Sequence, residues 1–142
     1  MSRSLDDLSD RMRPLVFEFL ARATEAGICL LIVDTLRTLD EHQSNLTRGV
    51  SWTTISNHLD GLAFRNTLPG SDAIDVCPYD TYQLHGRDKL EWNADDPVWA
   101  KIGRLGEGLG LVWGGRWRRH PDWGHFEHPL AREGMSAGVV SS

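Results

Sequence analysis

The strongest constraint on how this chain of 142 residues can fold is a carboxylate inside a strand. Ala73-Ile74-Asp75-Val76-Cys77 is apolar except at its centre, and Pro78 is expected to end it. Burying Asp75 there is costly unless its charge is paired or bound to a metal. A fold that uses this strand must bring partners to it from elsewhere in the chain. The richest supply is His120-Pro121-Asp122-Trp123-Gly124-His125-Phe126-Glu127-His128, with three imidazoles and two carboxylates. In extended backbone the side chains alternate, so His125 and Glu127 share one face while Phe126 and His128 share the other. Asp122 lies three residues before His125, across a glycine that lets the backbone bend. That spacing lets one residue bind a metal while the other reaches the water on it.

A second imidazole comes from Ser56-Asn57-His58, just ahead of Gly61-Leu62-Ala63. His58, Asp75 and His125 together supply two imidazoles and one carboxylate, a set that suits a catalytic zinc with its fourth position left for water. Zinc lowers the pKa of such a water toward ~7. A neighbouring carboxylate can take the proton and later return it to a leaving amine, and Asp122 is the choice for that role.

The length is that of one domain able to bury a core without staples. Hydrophobic residues at 40% and charged residues at 25% are ordinary globular values. A formal net charge of -5 argues against a general nucleic-acid binder. The local run Arg116, Arg118, Arg119, His120 reads as a solvated loop. Two cysteines, Cys29 and Cys77, are too few for a disulfide framework. Both lie in apolar runs and read as small buried hydrophobes, with pairing left open. The start, Met-Ser-Arg-Ser-Leu-Asp-Asp, is charged where a signal peptide needs an apolar core, and no run approaches transmembrane length. The expectation is a soluble monomer made in the cytoplasm, without membrane insertion.

Along the chain, Ser4 is a good N-cap with Asp6 and Asp7 behind it. Leu5, Leu8, Met12, Leu15, Val16, Phe19 and Ala23 follow at helical spacing, interrupted by Pro14 and ended by Gly27. Ile28 to Val33 reads as a buried strand that delivers Asp34, Thr35 and Arg37. Thr38 or Asp40 can cap a short helix through about Thr47. Gly49 to Asn57, His58 to Asp75 and Tyr79 to Asp95 read as irregular, with a turn at Asn66 to Ser71. Asp95 or Asp96 followed by Pro97 starts a helix whose inner face is Val98, Ile102 and Leu105, closed by Gly106, Gly108 and Gly110. Leu111-Val112-Trp113 and Gly124 to Glu127 are short strands around a Gly114-Gly115 turn. The result is a small α+β domain over residues 1–130, a short sheet flanked by helices, with residues 131–142 as a flexible tail.

In these motifs the chain resembles the zinc peptidases of peptidoglycan stem peptides, the M15-type group of VanY-type D,D-carboxypeptidases and phage L-alanyl-D-glutamate endopeptidases. Ser56-Asn57-His58-Leu59-Asp60-Gly61-Leu62-Ala63 is similar to that family's Ser-x-His-x-x-Gly-x-Ala. Ala73-Ile74-Asp75-Val76 resembles its Asp element, and Asp122-Trp123-Gly124-His125-Phe126-Glu127 its closing acid-x-x-His-Phe-Glu. Asp34 to Gln43 resembles the family's Arg-containing run after the first strand. Gly110 to Trp117 resembles the Gly-Leu-x-Trp-Gly-Gly-x-Trp of the endopeptidase branch. The resemblance spans about Ile28 to His128 and implies the hedgehog/D,D-peptidase-like fold with a short antiparallel sheet. It implies zinc on His58, Asp75 and His125, Asp122 as base, and Arg37 holding a substrate carbonyl or carboxylate, which suits a guanidinium. Ser56 is expected either to bind substrate or to cap a turn, and Trp123, with Trp113 and Trp117, to wall the cleft. His42, His85, His120 and His128 are expected to be surface or structural.

Two departures stand out. Arg65 occupies the place where the family's metal Asp usually follows the His, so residues 64–72 look inserted and Asp60 and Asp72 compete with Asp75. Gly124 replaces the proline expected before the last His. The resemblance implies a phage endolysin that cuts the L-Ala–D-Glu bond, made in the host cytoplasm and acting on the cell wall after release. The alternatives are a D-Ala-D-Ala carboxypeptidase on the same scaffold and a non-catalytic wall-binding module.

Overall fold

In the computed structural model, residues 2–47, 56–65, 68–79, 90–91 and 93–131 are described. The expectations for residues 48–55, 80–89 and 132–142, with His85 among them, lie outside those residues. Ser4 does cap, accepting from the Asp6 amide, but only for the single 3-10 turn Leu5–Asp7. Pro14 then sits in the first turn of α1 (Arg13–Glu25), where its missing N–H costs nothing, so it starts this helix instead of kinking it. Gly27, at φ 78°, ends the helix, with Ile28 donating back to the Ala23 carbonyl at 2.8 Å.

The chain then forms β1 (Cys29–Asp34) and α2 (Leu39–Thr47). Thr38 opens α2 by a reciprocal cap. Its hydroxyl accepts from the Glu41 amide at 3.1 Å, and the Glu41 carboxylate accepts from the Thr38 amide at 3.2 Å. The short α3 (Gly61–Phe64) is capped by Asp60, whose carboxylate accepts from the Ala63 amide. Then come β2 (Ala73–Tyr79), α4 (Val98–Gly108), β3 (Val112–Trp113) and β4 (His125–Glu127).

The four strands form one antiparallel sheet in the order β1-β2-β4-β3. β1 is therefore an edge strand and not the buried one its apolar run suggested; Cys29 and Leu31 are exposed, while Leu30 and Ile32 pack toward the core. Pro78 does not end β2 but continues it opposite Leu30. Its carbonyl faces away from β1, accepting from the Glu91 amide at 3.0 Å, so the lost N–H is on a side the β1 ladder does not use. Cys29 is exposed, Cys77 is buried, and the two are not joined in a disulfide.

α1 packs on α4 and β1, and α4 also packs on β3. Ile74, Val76 and Phe126 join Met12, Val16, Phe19, Ile102 and Trp113 in the core, with Phe19 and Phe126 ring centroids 4.6 Å apart. The buried stripe of α4 is Trp99, Ile102, Gly103 and Gly106, rotated from the expected Val98-Ile102-Leu105 face. The glycines explain the rotation. A Cβ on Gly103 would meet the Trp113 ring at 2.5 Å, and one on Gly106 the Phe126 ring at 2.5 Å. Only Gly110, at φ 89°, serves as the helix stop. No helix among the described residues is long and apolar enough to cross a membrane.

Candidate metal centre

Strand alternation gives the sheet its second face. Ile74 and Val76 point into the core, so Asp75 between them points the other way. β4 pairs with β2 so that Asp75 lies opposite His125 and Ile74 opposite Phe126. His125 and Glu127 share a face, as the alternation in the sequence predicted, and the register makes it the face of Asp75. On the other side of β2, the register with β1 slips between Ile32 and Asp34, so Val33 is a bulge residue and Asp34 faces Asp75. Without that extra residue Asp34 would point away from the site.

His58 arrives from the loop before α3, in a turn where the Ser56 hydroxyl oxygen accepts from the His58 amide at 3.1 Å. Ser56 is buried, and this hydrogen bond makes it a cap of the turn. The His58 Nδ1 lies 2.8 Å from the Thr35 carbonyl. A carbonyl only accepts, so Nδ1 carries the hydrogen and Nε2 presents its lone pair. Nε2 is 3.2 Å from Asp75 Oδ2, yet the approach is not aligned as a hydrogen bond and Nε2 is buried without such a partner. His125 meets Asp75 from the other side, Nδ1 to Oδ1 at 3.1 Å, while its Nε2 is 2.9 Å from Glu127 Oε1. The two imidazoles are edge to face, with centroids 5.2 Å apart.

One ligand atom from each of His58, Asp75 and His125 lies within 4.8 Å of the others; among the described residues this is the one such gathering of His, Cys, Asp or Glu. A lone pair aimed at a carboxylate oxygen across 3.2 Å needs a positive charge between them. Two imidazoles and a carboxylate, with one nitrogen orphaned, are a donor set that suits a divalent cation of the zinc type. Without an ion, the same carboxylates hold a proton on His125, which a bound cation would displace. Burial opposes the charge on Asp75, but His58 and His125 outweigh it and hold the carboxyl far below its usual range. Burial likewise opposes the imidazolium of His125, but hydrogen bonds to Asp75 and Glu127 outweigh it and push its pKa up to about 10.

Asp122 is brought to this group by Gly114, which seats both Asp122 and His125. A Cβ there would meet the Asp122 carbonyl at 2.6 Å and the His125 Cβ at 3.1 Å. The residue is exposed as a whole, yet partial burial of its carboxyl and the charge of Asp75 push its pKa up, against the pull of His125 and His58. Arg37 donates to Asp34 Oδ2 at 2.8 Å and lies 4.0 Å from Asp75 Oδ2. Its Nε and Asp34 Oδ1 are buried with no hydrogen-bond partner. Burial raises the pKa of Asp34 against the opposing effect of His58, and Asp75 adds to the rise against Arg37.

The aromatic wall differs in detail from the expected one. Trp117 lies tilted against His125, ring centroids 4.9 Å apart, whereas Trp123 packs beside Trp113 and accepts from its Nε1 through the backbone carbonyl at 2.8 Å. Gly124 allows the close approach of β4 to β2, since a Cβ there would meet the Val76 carbonyl at 2.3 Å.

The competitors of Asp75 are engaged elsewhere. Asp60 caps α3 and also accepts from the Gly70 amide at 2.6 Å. Asp72 is buried under Ser9, Arg11 and Arg65, with Arg65 NH1 at 3.0 Å. Arg65 is thus a buried clamp that ties the end of α3 to the start of β2, and the intervening excursion returns the chain to deliver Asp75. His42 is buried and His128 accepts from the Leu130 amide; neither belongs to the cluster. Sequence reasoning assigned no role to Asp34, Asn57 or Glu127. The alternation of Glu127 with His125 was the one signal pointing to any of them.

A His-Asp-His cluster on an antiparallel sheet, with Asp122 beside it, has the donor types of a metal-dependent hydrolase. Residues 70–128 match the family model described as D-alanyl-D-alanine carboxypeptidase. The fold is similar to that of the L-Ala D-Glu endopeptidase ChiX of Serratia marcescens, with a TM-score of 0.65 and 19% identity over 89% of this chain and 84% of that one. No curated protein matches the sequence. The family match is confined to residues 70–128, and the likeness to the endopeptidase is one of fold.

Proposed function

We propose that the protein is a zinc-dependent peptidoglycan peptidase that hydrolyses the L-Ala–D-Glu bond of stem peptides, acting as a phage endolysin on the cell wall after release from the host cytoplasm. The observation that carries this reading is the orphaned, buried Nε2 of His58 facing Asp75, with His125 Nδ1 on the carboxylate's other oxygen. His58, Asp75 and His125 would hold the ion. When bound, zinc supplies the Lewis acid that activates a water and polarises the amide carbonyl.

Asp122, with its raised pKa, takes a proton from the attacking water and delivers it to the departing amine nitrogen. The water oxygen is left on the alanyl carbonyl carbon as the C–N bond breaks. Arg37, held by Asp34, offers guanidinium donors to a carbonyl or carboxylate of the stem peptide. Trp117 lines the side of the site where His125 sits, and Trp123 packs on Trp113.

The Gly110 to Trp117 motif and the likeness to an endopeptidase favour the L-Ala–D-Glu bond. The description of the matched family favours a second reading, a D-Ala-D-Ala carboxypeptidase using the same residues. Digestion of purified peptidoglycan separates them. A new amine on D-Glu supports the endopeptidase, release of free D-Ala supports the carboxypeptidase, and neither product from zinc-loaded protein refutes both.

A further inference from the structure

We infer that Glu127 and Asn57, locked in place by Arg65, are positioning residues that dictate which nitrogen His125 turns toward Asp75. The inference rests on the zinc reading above and adds residues to which that reading gives no role. The four side chains form one buried line. Arg65 NH1 donates to Asn57 Oδ1 at 3.4 Å, Asn57 Nδ2 donates to Glu127 Oε2 at 2.9 Å, and Glu127 Oε1 receives His125 Nε2 at 2.9 Å. Arg65, Asn57 and Glu127 are all at most 5% exposed.

The direction of every bond in this line is forced by chemistry. A guanidinium only donates and a carboxylate only accepts, so an amide between Arg65 and Glu127 has a single orientation. Glu127, with one oxygen taken by Asn57, presents the other as an acceptor to His125. Nε2 must then carry a hydrogen and face Glu127, so Nδ1 is the ring nitrogen turned toward Asp75 and the one that would give up its hydrogen to an ion. Arg65 is itself anchored on Asp72 and on the Leu59 carbonyl at 3.0 Å. The arginine that stands where a ligand was expected is therefore linked to the metal centre through two side chains.

The test is a charge-conserving exchange. In Glu127→Gln one amide oxygen faces two donors; Asn57 Nδ2, oriented by Arg65, keeps it, so His125 Nε2 meets the amide NH2 and loses its acceptor. Adding Asn57→Asp restores an acceptor for the glutamine amide and for Arg65, and frees the glutamine oxygen for His125. Zinc affinity is read by chelator competition, and the His125 Nε2–H resonance is read by 15N-imidazole NMR of the metal-free protein. Glu127→Gln is expected to weaken zinc binding about 10–100-fold, the range for lost partners of metal-bound imidazoles, and to lose the protected N–H signal. The double variant is expected to recover most of both.

Wild-type zinc affinity in folded Glu127→Gln overturns the inference, as does a folded double variant no better than the single one. If Glu127→Gln does not fold, Asn57→Ala tests the same link, and unchanged zinc affinity there overturns it. If the wild-type protein binds no zinc, the functional reading fails. The NMR signal still decides this inference, which is overturned if the signal survives Glu127→Gln.

Discussion

Asp72→Asn isolates the energetics of the clamp that shapes the excursion between His58 and Asp75. The Asp72 side chain is fully buried and accepts from Ser9, Arg11 and Arg65, and the Arg65 side chain is fully buried with it. Breaking a buried ion pair by removing one partner costs about 3–5 kcal/mol. Here the amide still offers one acceptor, and Arg11, 23% exposed, can turn to water. The loss should therefore be ~3 kcal/mol. An unfolding entropy of ~2.1 cal/mol/K per residue gives ~0.3 kcal/mol/K for this chain, so Tm should fall by about 10 °C.

The pH dependence checks the cause. Burial opposes the Asp72 charge, but Arg11, Ser9 and Arg65 outweigh it and hold its folded pKa below 3.8. Its stabilisation is then complete above the unfolded pKa and lost as pH falls through the folded one. Calorimetric melts of both proteins should differ fully at neutral pH and converge in strong acid, where wild-type Asp72 is itself neutral. A Tm within about 2 °C of wild type at neutral pH, or a gap that persists unchanged in strong acid, would refute the reasoning.

Other outcomes follow from the same contacts. Gly103→Ala drives a methyl into the Trp113 ring and should destabilise by about 1–3 kcal/mol less a helix gain of ~1. Gly108→Ala meets nothing within 4 Å and should stabilise by roughly 0.5–1 kcal/mol; denaturant midpoints moving the same way in both would contradict the packing account. Asp122→Ala should abolish turnover while zinc content stays at the wild-type level, and unchanged lysis of cell walls removes Asp122 as the base. With a thiol reagent, Cys29 should react in the native state and Cys77 only on unfolding; two fast equivalents would contradict the burial of Cys77.

What was legible in the sequence depended on local pattern. The alternation in β4 placed His125 and Glu127 on one face, and the capping residues Ser4, Thr38 and Asp96 stand at starts of elements or just before them. Pairing between distant strands was not legible. An apolar run such as Ile28 to Val33 looks alike in a central and an edge strand, and only the order β1-β2-β4-β3 exposes Leu31. Gly103 and Gly106 carry no hydrophobic signal, so the face of α4 that receives Trp113 and Phe126 read one step away from its true position. At the site, His58, Asp75 and His125 were readable as residue types that need one another. The line from Arg65 to Glu127 was not, because residues 57, 65 and 127 meet only through the tertiary fold.

The central claim is that His58, Asp75 and His125 share one divalent ion on which amide hydrolysis depends. Metal analysis of the purified protein, with peptidoglycan hydrolysis assayed before chelation, after it and on readdition of zinc, tests this most directly. The account predicts one zinc per chain, activity lost on chelation and restored by zinc, and neither metal nor activity in His58→Ala or His125→Ala. Full hydrolysis by the chelated, metal-free protein would contradict it.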